Sequence, residues 1–197
     1  EVMKIHHRTS MTQDYGPKFD FTYLSGAGEE QNFRLALYRG KNANISLRYN
    51  KNSRFFDAAA DLSSPFSVFV AGLAGLPLIE ERRANSIVQT GIAQGDANLF
   101  LRNVLLRLST SPPKLRAFHQ LMSGIFPDFE TRTSFNENVN QYINAEVKLG
   151  RYWSPLEMAG TGCLQALQVA AYVILYSPKL LLLDEPDAHL HPGNQKL

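Results

Sequence analysis

The first part of the chain carries apolar side chains at every second position. Three alternating runs lie between Lys18 and Phe56, and a period of two predicts strands with one buried face. The alternating positions are Phe19, Phe21 and Tyr23, then Phe33, Leu35 and Leu37, then Ile45, Leu47 and Tyr49. Glycine-containing segments at 25–28 and 39–42 separate the runs and are typical of turns. The sequence therefore predicts an antiparallel β portion.

The middle of the chain changes to a helical pattern. Residues 63–78 are rich in glycine and proline and predict a strand that leads into a loop. From Glu80 onward the apolar positions follow a helical stripe. This stripe contains Leu99, Val104, Leu105 and Leu108. The pair Pro112–Pro113 ends one helix and starts the next, so we expect two or three helices here.

The last part returns to strand patterns around one apolar helix. Residues 142–149 alternate again and predict a strand. Residues 166–176 form a helix that is apolar on most sides, and the four leucines of 180–183 follow it. A leucine run without alternation predicts a strand covered on both faces, as in parallel sheets. Ligands of such sheets bind beyond the carboxyl ends of the strands, where Asp184 and Glu185 stand.

Composition and charge narrow the class of protein. The chain has 197 residues, of which 44% are hydrophobic and 19% charged, which is typical of one globular domain. A net charge of +2 gives no electrostatic indication of nucleic-acid binding. The single cysteine, Cys163, excludes an internal disulfide and a cysteine-based zinc site. Because no apolar run reaches 18 residues and Glu1–Arg8 lacks a signal-peptide core, we expect a cytoplasmic protein without a membrane partner.

A glycine-containing turn precedes the apolar helix. Gly160 and Gly162 lie where the unpaired N–H groups and the positive end of the helix dipole meet. Glycines also let a phosphate approach the backbone closely, so this turn is a candidate anion site. Downstream, one carboxylate of the pair Asp184 and Glu185 is suited to hold Mg²⁺ and the other to polarise a water.

These segments resemble a known family. Residues 180–186 resemble the Walker B strand of ABC-type ATPases, and Glu157-x-x-Gly160-x-Gly162-x-x-Gln165 resembles their signature motif. Residues 187–192 are similar to the D-loop of the OLD-type, RecF-like and SMC-like branch. The resemblance covers residues 154–195 and implies an AAA-type ATP-binding protein of DNA repair or antiphage defence.

The resemblance implies a fold and a division of the chain. The fold is α/β, an ABC-ATPase-like head fragment with an antiparallel β portion, a helical insertion and the Walker B strand of a mainly parallel core sheet. Residues 1–197 would then be a partial ATPase head. It comprises a β-rich portion at 1–78, a helical insertion at 79–130, and the signature helix with the Walker B core at 131–197.

The resemblance also implies roles for residues, with ATP and Mg²⁺ as cofactors. Asp184 would support Mg²⁺, and Glu185 would be the catalytic base that positions water. The γ-phosphate bound by a second copy would meet the signature residues Gly160, Thr161, Gly162 and Gln165. The D-loop residues at the dimer interface would be Asp187, His189 and His191. The implied partners are a second copy, in a homodimer or higher homo-oligomer, and DNA or an effector protein.

The sequence departs from the family pattern in two places. The serine common in ABC signatures is either replaced by Ala159 or shifted to Thr161, and no Gly-x-x-x-x-Gly-Lys-Ser/Thr motif is present. We expect that the P-loop precedes Glu1 and that the switch histidine follows Leu197. The alternative is a catalytically degenerate head that acts as a nucleotide-binding or partner-binding scaffold. The acidic pair Asp184 and Glu185 favours the enzyme.

Three further patterns have more than one interpretation. Asp187-x-His189-x-His191 has a spacing suited to a metal ion, although the D-loop explains the same residues. Cys163 adjoins the anion site, but a small buried side chain explains it equally well. Arginines and lysines among the aromatic residues of 33–56 either contact nucleic acid or form a solvated face. The same two interpretations apply to Arg82, Arg83, Arg102 and Arg107.

Overall fold

The computed structural model describes two compact units of the chain. The described residues are 4–8, 17–24, 28–39, 45–49, 55–56, 59, 61, 64–72 and 76–184. The first unit is Glu1–Asp61 and the second is Leu62–Leu197.

The described part of the first unit is an antiparallel sheet of four strands in the order β1-β2-β3-β4. The strands are β1 (Lys4–Arg8), β2 (Lys18–Leu24), β3 (Glu30–Arg39) and β4 (Ile45–Tyr49). Phe21 lies opposite Phe33, and the Phe33 and Phe55 rings lie 4.8 Å apart, so the aromatic positions share one face. The predicted antiparallel β portion is confirmed. The sequence analysis does not predict strand β1, because its residues KIHHR show no apolar alternation.

The second unit contains a parallel pair of strands. Strand β5 (Ser67–Val70) pairs with β9 (Leu180–Leu183), with Val70 opposite Leu183. The Asp184 N–H donates to the Val70 carbonyl at 3.1 Å, so both strands end at the same edge. Leu182 and Leu183 are 47% and 40% exposed, so the prediction that both faces of this strand are covered is wrong for its carboxyl half. Within the described residues β9 has a neighbouring strand on one side only.

In the described part of the second unit, four α-helices build the rest of the core. They are α1 (Asn85–Gln94), α2 (Leu101–Ser109), α3 (Pro112–Ser123) and α4 (Thr161–Tyr176). Helix α3 begins at the predicted proline. Leu99 leaves the predicted stripe and is 45% exposed because it lies in a 3-10 turn, Ala97–Phe100, whose side chains follow a tighter period.

Helix α4 runs through the middle of this core. Leu167 and Tyr172 on α4 are fully buried, as are Phe118 and Met122 on α3. The Tyr172 hydroxyl donates to the Ala97 carbonyl, which fixes α4 against the turn before α2. Burial raises the pKa of Tyr172 well above its ordinary value, so the hydroxyl keeps its proton. No helix among the described residues has the length and apolar content needed to cross a bilayer.

A second antiparallel sheet leads the chain into α4. It contains β6 (Glu130–Ser134), β7 (Asn144–Leu149) and β8 (Tyr152–Pro155) in that order. The sequence predicts only β7, because β6 is a polar strand joined to β7 by charged pairs: Arg132 with Glu146 at 2.6 Å and Lys148 with Glu130 at 2.5 Å. From β8 the chain passes through a 3-10 turn, Leu156–Met158, directly to the start of α4.

Candidate nucleotide-binding site

The start of α4 is open to an anion. The segment 159–162, here called the signature turn, places Gly160 immediately before the helix with φ −58° and ψ 148°, and both Gly160 and Thr161 are exposed. No described side chain caps this end, and its first turn contains no acidic residue. The first N–H groups of a helix have no acceptor within the helix, and the helix dipole adds positive potential there. The turn therefore offers exposed donors to a phosphate.

The helix begins earlier than its apolar pattern indicates. The sequence predicts a helix from residue 166, whereas α4 starts at Thr161, so Gly162 and Gln165 lie inside it. The Gln165 side chain is 3% exposed and belongs to the core face of the first turns. The nucleotide contact that the resemblance implies for Gln165 stays a prediction, as do those of Gly160, Thr161 and Gly162.

The candidate metal residue lies at the carboxyl edge of the parallel pair. Asp184 follows β9 directly and its side chain is exposed. Glu185, Asp187, His189 and His191 lie outside the described residues. In the described part of the chain, no three or more histidine, cysteine or acidic side chains group closely enough to enclose a metal ion. One exposed carboxylate still fits Mg²⁺, which proteins usually bind through one or two carboxylates together with substrate phosphates.

A buried carboxylate lies at the start of α2. Glu80 is 7% exposed and accepts hydrogen bonds from the backbone N–H groups of Arg102 and Asn103, both at 2.8 Å, and from Asn103 Nδ2 at 2.6 Å. Phe100, which precedes α2, supplies no side-chain cap, so Glu80 satisfies the first turn of α2 instead. Burial raises the pKa of Glu80, and these hydrogen bonds oppose that rise.

Arg102 joins this carboxylate network to Glu157, in the 3-10 turn directly before the signature turn. The residue is 2% exposed, and its guanidinium donates to the Pro77 carbonyl at 2.5 Å, the Leu78 carbonyl at 3.1 Å and Glu157 Oε2 at 2.9 Å. The interpretation of Arg102 as a solvated or nucleic-acid-contacting residue is therefore wrong. Sequence reasoning missed it because the three acceptors lie 24 to 55 positions away, and no local pattern indicates them.

For the other arginines of the helical layer, nucleic-acid contact and a solvated face both stay predictions. Arg82 pairs with Glu137 at 2.9 Å and Arg83 with Glu81 at 2.7 Å, and all four side chains are partly exposed. Arg107 lies over the Tyr176 ring at 5.8 Å. The two ion pairs are exposed, and pairs of this kind contribute about 0 to 1 kcal/mol.

Cys163 is expected to react slowly with alkylating reagents in the folded protein. Its side chain is buried, and burial raises the pKa of the thiol from 9.0 to about 11. Near pH 8 that rise lowers the reactive thiolate fraction by about 100-fold, before steric protection is counted. Mass spectrometry of iodoacetamide labelling, native against urea-unfolded, measures the effect, with glutathione as the free-thiol control. Equal native and unfolded rates would contradict the burial of Cys163.

A family match covers the elements that form this site. Residues 77–197 match the family described as "AAA domain, putative AbiEii toxin, Type IV TA system". The chain belongs to this family. The matched part of the AAA domain includes α2, the signature turn and β9, and membership supports an ATPase-type nucleotide-binding function. No curated protein matches the sequence.

Two solved structures share the fold of the AAA-domain chain. One is "Crystal structure of the SmcHead bound to the C-winged helix domain of ScpA", with 13% identity and a TM-score of 0.50, covering 90% of this chain and 59% of that one. The other is the Smc head domain with an extended coiled coil bound to the C-terminal domain of ScpA, derived from Pyrococcus furiosus. It has 13% identity and a TM-score of 0.52, covering 91% of this chain and 65% of that one. The chain spans less than two thirds of the length of either structure. The predicted α/β fold of an ABC-ATPase-like head fragment is confirmed by this similarity.

Proposed function

We propose that this chain contributes the signature turn and the Walker B strand to an ATPase head of the OLD-like, RecF-like and SMC-like branch. The head binds ATP with Mg²⁺ and hydrolyses it as a dimer. The observation that carries the proposal is the exposed, uncapped and acid-free start of α4 at Gly160, one helix before a parallel strand that ends at exposed Asp184.

In the proposed dimer the start of α4 acts on the nucleotide of the partner. The N–H groups at Gly160, Thr161 and Gly162 donate to the γ-phosphate that the second copy holds. Fixed donors of this kind stabilise the charge that develops during phosphoryl transfer, since they need no reorganisation. Gln165 supports the same turn from the core side, where it is buried.

The carboxyl edge of the parallel pair acts on the nucleotide bound in the same copy. Asp184 holds Mg²⁺, which when bound neutralises charge on the phosphates. Glu185 orients the attacking water and accepts its proton. Asp187, His189 and His191 form the D-loop at the dimer interface.

The proposal also includes a cellular role, a further partner and a division of the chain into three portions. A cytoplasmic role in DNA repair or antiphage defence fits the branch, with DNA or an effector protein as the further partner. Both solved Smc heads carry a bound ScpA domain, which favours an effector protein. We retain the division into a β-rich portion at 1–78, a helical insertion at 79–130 and the signature and Walker B core at 131–197.

Mg²⁺-dependent ATP turnover and light scattering on the full-length protein test this function together. We expect turnover that stops with EDTA, and a mass that doubles with ATP but not with ADP. ATP binding without turnover or assembly would favour a degenerate scaffold. Absence of any nucleotide binding would reject the proposal.

A further inference from the structure

We infer that Arg102 is a positioning residue for the signature turn. Its buried guanidinium fixes Glu157, and through Glu157 the start of α4, in the geometry that a phosphate on the partner head requires. The inference rests on the proposed function, because it assigns Arg102 a role in the contact between the turn and the partner's nucleotide. It adds a residue that lies outside the signature motif and 58 positions before Gly160.

The shape of the guanidinium makes Arg102 suited to this task. Its N–H groups point in directions fixed by a planar fork, and two of its nitrogens reach three oxygens on two separate segments. The carbonyls of Pro77 and Leu78 belong to the segment that follows β5, and Glu157 belongs to the 3-10 turn before α4. The side chain therefore holds these two segments at a set distance and angle.

Arg102 itself is held by a rigid base. Glu80 accepts the N–H groups of Arg102 and Asn103, while Asn103 Nδ2 also donates to the Glu81 carbonyl at 2.9 Å. The Arg83 N–H donates to Asn103 Oδ1 at 2.9 Å, so residues 80–83 and the first turn of α2 are joined at several points. The Ile143 N–H donates to the Glu80 carbonyl at 2.9 Å and attaches this base to the second sheet.

The signature turn needs such an anchor on its polar side. Leu156 and Ala159 are buried and fix the turn toward the core, whereas Met158 and Gly160 are exposed. Glu157 stands between these positions, and its ion pair with Arg102 is highly asymmetric in burial, with side-chain exposures of 35% and 3%. Because the buried Arg102 is held by several hydrogen bonds, its pairing with Glu157 constrains the direction in which the chain continues toward Gly160.

The expected consequence is a loss of contact with the partner and not of the protein's own nucleotide binding. A misplacement of about 1 Å at a catalytic contact costs on the order of 100-fold in rate. A smaller shift follows when Glu157 loses its charge but keeps an acceptor. We expect Glu157→Gln to raise the ATP concentration for half-maximal dimerisation by on the order of 10-fold, and Glu157→Ala to raise it further.

The experiment compares three variants of the full-length protein in a Glu185→Gln background, in which we expect the ATP-bound dimer to accumulate. These are Glu157→Gln, Glu157→Ala and the matched control Glu137→Gln, which neutralises an exposed partner of Arg82. Fluorescent-nucleotide titration at low protein concentration measures binding by one copy, light scattering measures ATP-dependent dimerisation, and thermal melting measures folding. We expect unchanged nucleotide affinity in all three and weakened dimerisation only in the two Glu157 variants.

The outcomes separate the inference from the proposed function. If Glu185→Gln alone fails to dimerise with ATP, the proposed function is rejected and the inference falls with it. If that protein dimerises and Glu157→Gln dimerises at the same ATP concentration, the inference alone is overturned. A fall in nucleotide affinity and melting temperature that accounts for the lost dimerisation would assign the ion pair a purely structural role and would also overturn it.

Discussion

Replacing Glu185 with glutamine is expected to abolish ATP turnover while ATP binding persists and an ATP-bound dimer accumulates. The glutamine amide has nearly the same shape as the carboxylate but cannot accept a proton from the attacking water. General base catalysis contributes about 10²- to 10⁴-fold, so turnover should fall by on the order of that factor. Because hydrolysis is the step that opens the proposed dimer, the mass should stay doubled with ATP. Phosphate release and light scattering measure the two effects.

The matched control for this variant is the same acid-to-amide change at exposed Glu137. Glu137→Gln should retain wild-type turnover and a dimer that reverts as ATP is consumed. Wild-type turnover in Glu185→Gln would exclude Glu185 as the catalytic base.

Placing an aspartate at Gly160 is expected to abolish the same activity by a different route. A Cβ at this position meets no described atom within 4 Å, and a φ of −58° suits any L-residue. Aspartate is a favoured cap for a helix start and its charge complements the dipole, so the free energy of unfolding should stay equal or rise by about 1 kcal/mol. The carboxylate nevertheless occupies the donors meant for phosphate and repels its charge. Turnover and dimerisation should fall by on the order of 100-fold.

Gly160→Ser separates the charge from the added side chain. Serine caps the helix without a negative charge, so it should retain most ATP-dependent dimerisation. Urea unfolding of both variants establishes that the fold is intact. An aspartate variant that turns over ATP like the wild type would show that the start of α4 does not meet a phosphate.

Sequence patterns indicate those elements whose structure depends on the apolar pattern of their own residues. Strands β2, β3 and β4 alternate because their aromatic residues share one face, on which Phe33 is buried, and α4 and β9 are mainly apolar. Leu47 on β4 is nevertheless 54% exposed. Strand β6 has no apolar pattern of its own, since its residues ETRTS are stabilised by partners on β7. The helix start at Thr161 is similar, because the packed core extends α4 through a glycine that intrinsic propensity disfavours.

In the candidate site, too, the predictable residues are those that belong to a local sequence motif. Motif spacing is enough to indicate Gly160 and Asp184, and both are exposed where a ligand could reach them. Arg102 has no such indication, because an arginine beside an apolar stripe is ordinarily solvated. Its burial depends on acceptors that are distant in sequence, two backbone carbonyls and the Glu157 carboxylate. The roles of Glu185, Asp187, His189 and His191 remain predictions that the variants above begin to test.

The parallel pairing of β5 with β9 also has a kinetic consequence. Val70 leaves the ribosome more than 100 residues before Leu183, its partner in the register. At about 5 to 20 residues per second, β5 waits roughly 5 to 20 s for its partner strand. Contacts so distant in sequence form slowly, because the chain loses the entropy of loop closure before the contact can stabilise it. The edge that carries Asp184 is thus assembled late during biosynthesis, and a nascent chain interrupted before Leu180 lacks the strand that completes it.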